Sequence, residues 1–166
     1  MDPYSVKSFG DAAFHLRGAY LVAQSGSTSL VGALGAIYDP THPADVYYPN
    51  LWHALSSLVT PWVGPVVATN AEMEATAAVL TPSGLAALTW ALAPRLTFAA
   101  PAAALLATPV AIFPAVVATG FSIYPVSLSL ALLPSALAAL VYWRRSGGAP
   151  AIVAVLLGGA ALLSAQ

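Results

Sequence analysis

The spacing in this chain that most resembles a reactive site is a D-x-x-H-x-x-D pattern made by Asp39, His42 and Asp45. Two carboxylates and an imidazole are suitable ligands for a divalent metal ion. The pattern falls in the segment DPTHPADVYYPN, in which three prolines exclude a regular helix. Because no regular element would hold the three side chains together, a solvated loop explains the pattern better, and no metal is predicted.

The three histidines, His15, His42 and His53, all lie near the ends of predicted helical segments. Haem binding requires axial ligands on facing helices at the depth of the cofactor. No histidine falls within the three most apolar segments of the chain. The sequence therefore predicts no cofactor.

The sequence contains almost no pattern that is typical of nucleophilic catalysis. The chain has no cysteine, which removes thiolate nucleophiles, thiolate metal sites and disulfides. It has no G-x-S-x-G, H-E-x-x-H or G-x-x-x-x-G-K motif. A buried dyad of Ser25 and His53 is the one arrangement that the residue types would allow. The sequence therefore predicts no catalytic residue and a protein that is not an enzyme.

Prolines inside apolar segments are the next feature that could do chemistry. Pro109 and Pro134 each free the carbonyl group four residues earlier, at Leu105 and Leu130, and a freed carbonyl can bind an ion. Proline is ordinarily tolerated in transmembrane helices. The preferred interpretation is that these prolines shape the helices to fit their neighbours.

A polar stretch near the N-terminus provides candidates for helix packing or for lining a path. Ser25 and Ser29 are four residues apart, as are Gly32 and Ala36, and small residues at this spacing permit close helix approach. The candidate packing or path-lining residues are Gln24, Ser25, Ser29, Gly32, Pro109 and Pro134.

Composition determines the class of protein. The 166 residues are 59% hydrophobic and 7% charged, whereas soluble domains contain about 25% charged residues. Six acids and five bases are too few to cover the surface of a soluble fold of this length. A net charge of −1 gives no electrostatic footprint for nucleic acid. The expected fold is an all-α, polytopic transmembrane bundle whose partners are the lipid bilayer and, by expectation, other membrane subunits.

Six stretches are candidate spans. They run over residues 19–38, 51–69, 75–93, 96–120, 121–143 and 149–166. Residues 1–18 are polar to amphipathic and are predicted to form an interfacial segment. The stretch 51–69 is interrupted by Pro61, Gly64 and Pro65, so it could span, dip into the membrane and return, or lie at the interface.

The distribution of basic residues favours about five spans, within a range of four to six. If either 19–38 or 51–69 does not cross, an internal N-terminus places all five bases inside. We expect 51–69 to be the re-entrant or interfacial element of an external loop over 39–74. A proline-rich helical core follows over 75–166. The chain is then one transmembrane domain of the cell membrane, with its N-terminus inside and its C-terminus outside.

Three functional hypotheses follow. The favoured one is a small non-catalytic, accessory subunit of a larger membrane complex, because the predicted spans contain no internal charge and the chain has no catalytic motif. An energy-transducing respiratory complex engaged in electron transport is a natural host. The alternative is a homo-oligomeric channel or carrier whose path is lined by residues 24–29 and 52–62. The third is an outer-face lipid-modifying enzyme that uses Asp39, His42 and Asp45.

Overall fold

All regular secondary structure in the part of the chain that the structure describes is helical. The structure is a computed structural model and describes residues 12–110, 124–148, 152–156 and 158–160. The helices are α1 (Ala12–Ser25), α2 (Gly35–Tyr38), α3 (Leu51–Ala75), α4 (Thr81–Leu92), α5 (Ala99–Val110) and α6 (Tyr124–Ser146). A short 3-10 helix covers Pro43–Asp45, a π-helix covers Thr76–Leu80, and residues 152–156 and 158–160 are helical. The predicted all-α fold is confirmed for these residues.

The predicted spanning helix over 19–38 is wrong. Helix α1 ends at Ser25, Gly26 follows with φ of 66°, and α2 is only four residues long. Serine side chains explain the ending, because they compete with the helical backbone for hydrogen bonds. Ser25 Oγ accepts a hydrogen bond from the Ser27 amide at 3.2 Å, and Ser29 Oγ accepts one from the Val31 amide at 3.1 Å.

Helix α3 reverses direction at Gly64. This residue has φ of 79° and ψ of 160°, a conformation that is open essentially only to glycine. Ser56 Oγ donates a hydrogen bond to Glu72 Oε2, sixteen residues along the chain. In a straight helix these two residues would be about 24 Å apart. Residues 51–63 therefore form one arm of a helical hairpin, and the helix that begins at Pro65 forms the other.

The hairpin changes the boundaries predicted for this region. The arm 51–63 is about 19 Å long, which is shorter than the roughly 30 Å of a bilayer's hydrocarbon core. The second arm does not leave the helix at residue 74, because helical backbone continues through the π-helix to Leu92. Asn70 and Glu72 therefore lie within a helix. That residues 39–74 lie outside the membrane stays a prediction.

Pro82 accounts for the π-helix within this long second arm. Proline has no amide hydrogen and its ring conflicts with the carbonyl group four residues earlier. At this point the Thr81 amide and the Thr81 hydroxyl both donate to the carbonyl oxygen of Thr76, five residues back, the hydroxyl at 3.0 Å. The Thr-Pro-Ser-Gly sequence thus widens one turn of a helix that continues, and it does not begin a new one.

Helices α4 and α6 lie side by side and run in the same direction. Gly84 of α4 packs against Pro134 and Ser135 of α6, where an added Cβ would lie 2.8 Å from Ser135 Oγ. Further along both helices, the Arg145 guanidinium donates to the carbonyl oxygens of Ala91 and Leu92. Because the two helices are parallel, the chain that leaves the end of α4 must run back to the other end of the pair before α6 begins. Within the described residues, α5 belongs to this connection.

Within the described residues, two helical stretches are long and apolar enough to cross a membrane. They are Leu51–Leu92 and Tyr124–Ser146. Because the first stretch reverses at Gly64, its continuous part is 65–92, about 42 Å long. Five spans are not present in the described residues. The predicted interfacial segment over 1–18 and the spans over 96–120, 121–143 and 149–166 all extend partly outside them.

The arginines do not all lie at one end of the helices. Arg17 follows His15 by two residues, and the His15 ring contacts the ring of Tyr124 at the start of α6. Tyr124 is about 32 Å from Arg145 along α6. Arg17 therefore lies near the end opposite to Arg145, an arrangement that does not favour the prediction of all five bases on one side of the membrane. Lys7 lies outside the described residues.

Candidate functional site

Polar side chains converge where α1, the arm 51–63 and the helix 65–80 meet. We call this set the buried polar cluster: His15, His53, Ser56, Glu72 and Thr76. It lies next to the apolar core formed by Trp52, Met73, Tyr124 and Leu128 with Ala12. Helical spacing places Trp52, Ser56 and Thr60 on one face of the first arm, and all three are buried. This buried face carries Ser56 into the cluster.

His15 and His53 form a direct pair in the interior. His15 Nδ1 and His53 Nε2 are 3.1 Å apart, and the two rings are nearly parallel, at 21°. His53 is completely buried, and its Nδ1 atom has no hydrogen-bond partner within the described part of the chain. The rings of Phe14, Tyr48 and Tyr124 surround the pair. One of the two facing nitrogens donates and the other accepts, so a hydrogen bond links two helical segments here.

Gly18 makes this approach of the two helices possible. A Cβ atom at residue 18 would lie 2.5 Å from His53 Cδ2 and 2.9 Å from His53 Nε2. Only a residue without a side chain leaves room for the imidazole of His53 against α1.

Glu72 brings a carboxyl group into the interior. Its Oε2 atom accepts the hydrogen bond from Ser56, while its Oε1 atom is buried and has no partner among the described residues. The hydroxyl of Thr76, one helical turn further on, is also buried and makes no hydrogen bond there. Glu72 and Thr76 line one groove of about 380 Å³ whose other walls are apolar, formed by side chains such as Leu55, Val79 and Leu128.

The groups around Glu72 are its own carboxyl and the hydroxyls of Ser56 and Thr76. Such oxygen atoms are ligands for hard cations or partners for a proton. No group of three or more His, Asp or Glu side chains that could hold a metal ion occurs in the described part of the chain. Glu72 lies in a helical stretch that is long and apolar enough to cross a membrane. A carboxyl group in such a helix is by default a candidate functional residue, since its burial is costly.

The predicted triad of Asp39, His42 and Asp45 lies on an exposed loop. Asp39 Oδ1 accepts hydrogen bonds from the Thr41 hydroxyl at 2.5 Å and from the Thr41 amide at 2.9 Å. These bonds stabilise the charged form and hold the pKa of the Asp39 carboxyl below its usual value. His42 Nδ1 is 3.9 Å from Asp39 Oδ2, and Asp45 ends the 3-10 helix. Hydrogen bonds that shape a loop thus account for the pattern around Asp39.

The dyad of Ser25 and His53 is not formed. Ser25 is exposed at the end of α1. His53 instead contacts His15, which precedes Ser25 by ten residues on α1. Gln24 is also exposed and bonds to the Tyr20 hydroxyl at 2.5 Å. The predicted polar residues of this stretch thus lie away from the interior.

The remaining predicted residues lie on three different elements. Ser29 is exposed in the segment after α1, and Gly32 follows it with φ of 82° and donates to the Val46 carbonyl at 2.8 Å. Pro134 lies within α6 next to Gly84. The backbone of Pro109 belongs to α5.

Sequence reasoning missed Ser56 and Glu72, although a signal was present. Each lies eight residues from Gly64, one before it and one after it. A helical hairpin centred on a Gly-Pro turn brings positions at equal distances from the turn into contact, so two polar residues at matching positions indicate a pair.

A family described as a family of unknown function, DUF6541, matches the sequence over residues 1–166. No curated protein and no solved structure gives a significant match.

Proposed function

The chain belongs to the DUF6541 family of unknown function over its whole 166 residues. We propose that it forms a homo-oligomeric membrane channel or carrier for a proton or a small monovalent cation. Glu72 is the cation-binding group in this proposal, and Ser56 and Thr76 assist it. In this proposal the buried polar cluster lines the path, in place of Gln24 and Ser29.

One observation carries the proposal: the carboxyl group of Glu72 has one oxygen bound to Ser56, and the other is buried without a partner among the residues that the structure describes. A cation at the second oxygen would supply the missing interaction. The accessory-subunit hypothesis rests on predicted spans that contain no internal charge. Glu72 supports the channel or carrier instead, because it lies within a helical stretch that is long and apolar enough to cross a membrane.

Two backbone features support the same function. The hairpin at Gly64 has an arm too short to span, and such re-entrant elements are tolerated in membranes where protein or a water-filled cavity covers them. The π-helix begins at Thr76, and π-helical turns within α-helices occur frequently at functional sites. The groove beside Glu72 opens to the surface between apolar side chains, where a second copy would close it.

The proposed orientation places the arginine end of α4 and α6 in the cytoplasm, since basic residues favour that side. Glu72 precedes Leu92 by twenty residues, about 30 Å of helix, which places it near the outer boundary of the hydrocarbon core. Because α1 packs against the arm 51–63 at that same end, α1 lies in the outer half of the membrane in this arrangement. The internal N-terminus expected from the sequence stays a prediction. The C-terminus remains outside, and the membrane is the cell membrane.

This orientation predicts opposite labelling of two positions. The chain has no cysteine, so Asp45→Cys, on the exposed loop at the end remote from the arginines, and Ser146→Cys each introduce a single thiol. A membrane-impermeant maleimide added to intact cells should modify the first variant and should reach the second only after the cells are opened. Modification of both thiols from the same side would contradict the orientation.

Replacement of Glu72 tests the function. We expect purified wild-type protein in liposomes to pass protons or monovalent cations, measured with pH-sensitive and cation-sensitive dyes. Glu72→Gln removes a charged partner, and interactions with charged groups are worth about 1.5–3 kcal/mol, so the flux should fall by about ten- to a hundredfold.

Glu74→Gln is the matched control, because Glu74 is exposed two residues further along the same helix. Its flux should stay within about twofold of wild type, since exposed charges are screened. Both variants should retain wild-type helical circular dichroism. Wild-type flux equal to that of empty liposomes, or equal flux in wild type and Glu72→Gln, would refute the proposal.

That the protein belongs to a larger membrane complex also stays a proposal. Its support is the set of large apolar side chains that face outward, such as Leu105 at 74% exposure and Leu106 at 73%, which lipid or partner helices would cover. Gentle detergent extraction followed by native mass spectrometry tests it. Stoichiometric co-migration with other subunits would support it, and a homo-oligomer alone would exclude it.

A further inference from the structure

The end of the bundle remote from Glu72 carries three arginines. Arg95 lies in the turn between α4 and α5, and Arg144 and Arg145 lie in the last turn of α6. All three are exposed. The contact of Arg145 with the last carbonyl groups of α4 shows that they share one end.

The described acidic residues lie far from this end. Glu74 precedes Leu92 by eighteen residues, about 27 Å of helix. Asp39 follows Tyr38, whose ring contacts Phe14 of α1 at the opposite end, and Asp45 lies further along the same loop. The arginine end is therefore a patch of a single sign among the described residues, and it attracts anions.

Two of the arginines converge on one groove. Arg95 and Arg145 line a groove of about 670 Å³ together with residues 92–94 and Leu96. Arg145 is held in place by the carbonyl oxygens of Ala91 and Leu92. A guanidinium group has five N–H donors, so three remain for an anion. Fixing the side chain in advance lowers the entropy that binding would otherwise cost.

The surroundings of the groove are apolar and aromatic. Phe98 is 85% exposed, Leu96 63%, Trp90 53% and Trp143 37%. Tryptophan is enriched at the level of the lipid headgroups, and Phe98 and Leu96 offer a surface to acyl chains. A free phosphate ion would contact the arginines but not the apolar side chains. A phospholipid would contact both the arginines and the apolar surface.

We propose that this groove binds an anionic phospholipid, with its phosphate between Arg95 and Arg145 and its acyl chains against Leu96 and Phe98. Arg144 adds long-range attraction from the adjacent turn. The arginine pair then acts as a lipid receptor that is separate from the cation site at Glu72, and it stands whether or not the protein conducts cations.

The test measures lipid retention by the full chain. Wild-type protein is purified from nanodiscs that contain equal amounts of phosphatidylglycerol and phosphatidylcholine, and the retained lipid is counted by native mass spectrometry. We expect preferential retention of phosphatidylglycerol. Each arginine near a lipid surface contributes a roughly fivefold preference, so Arg95→Gln and Arg145→Gln should each lower the retention of phosphatidylglycerol by about fivefold.

Arg17→Gln is the matched control, because it removes an exposed arginine from the opposite end. It should leave the retention unchanged. Equal retention of the two lipids by wild type, or equal loss with Arg17→Gln and Arg95→Gln, would overturn the proposal. Displacement of phosphatidylglycerol by millimolar inorganic phosphate would also overturn it, since the groove would then bind the free ion and not the lipid.

Discussion

Gly18→Ala should separate α1 from the arm 51–63 and weaken the fold by several kcal/mol. The added Cβ would lie 2.5 Å from His53 Cδ2, a separation that real Cβ contacts do not reach. The imidazole cannot retreat easily, because it pairs with His15 and packs between Phe14 and Tyr48. Overpacking of this kind costs about 1–3 kcal/mol, and loss of the pair adds the cost of a buried, unpaired imidazole, about 1–3 kcal/mol more.

The measurement is the free energy of unfolding from a titration of mixed micelles with sodium dodecyl sulfate. Gly159→Ala is the control, because a Cβ there meets no atom of another described segment within 4 Å. It should be neutral or slightly stabilising, since alanine favours a helix over glycine by about 1 kcal/mol. If Gly18→Ala were as stable as Gly159→Ala, the close approach of α1 to His53 would be wrong.

Trp52→Ala is expected to be about equally damaging. Trp52 is completely buried, stacks on Tyr124 with ring centroids 5.3 Å apart, and belongs to the apolar core with Met73 and Leu128. Replacing a buried tryptophan with alanine leaves a cavity and costs about 3–5 kcal/mol. The same micelle titration should show this loss, together with weaker coupling between the hairpin and the start of α6.

Trp62→Ala provides the matched comparison on the same arm. Trp62 is 79% exposed, ten residues from Trp52, so its removal should change the free energy of unfolding by less than about 1 kcal/mol. Comparable losses in the two variants would contradict the hairpin, because its register is what buries one tryptophan and exposes the other.

The parts of the fold that were predictable depend on local chemistry. Apolar runs predict helices, and the Gly64-Pro65 pair interrupts the stretch 51–69 at the point where the chain reverses. The end of α1 was not anticipated, because the apolar residues after Ser29 mask the effect of its serines. Small residues at helical spacing favour close packing only if a helix exists, and here the serine hydroxyls bind backbone groups of a loop instead.

The site depends on contacts between distant residues, which explains why little of it was predicted. From the sequence, Glu72 and Glu74 both fall in the predicted external loop over 39–74, since charge usually marks exposure. They are two residues apart and face different sides of one helix, so Glu72 points to Ser56 while Glu74 is exposed. His15 and His53 are 38 residues apart in the chain, and only the hairpin and Gly18 bring them together.

The reversal at Gly64 also constrains how this family can vary in length. Ser56 and Glu72 face each other because equal numbers of residues separate each of them from Gly64. Inserting or deleting one residue between them would rotate one arm by about 100° relative to the other and move it by about 1.5 Å along its axis. Related sequences that keep this pair should therefore align without gaps from residue 52 to residue 76, while the loop over 26–50 is free to change in length.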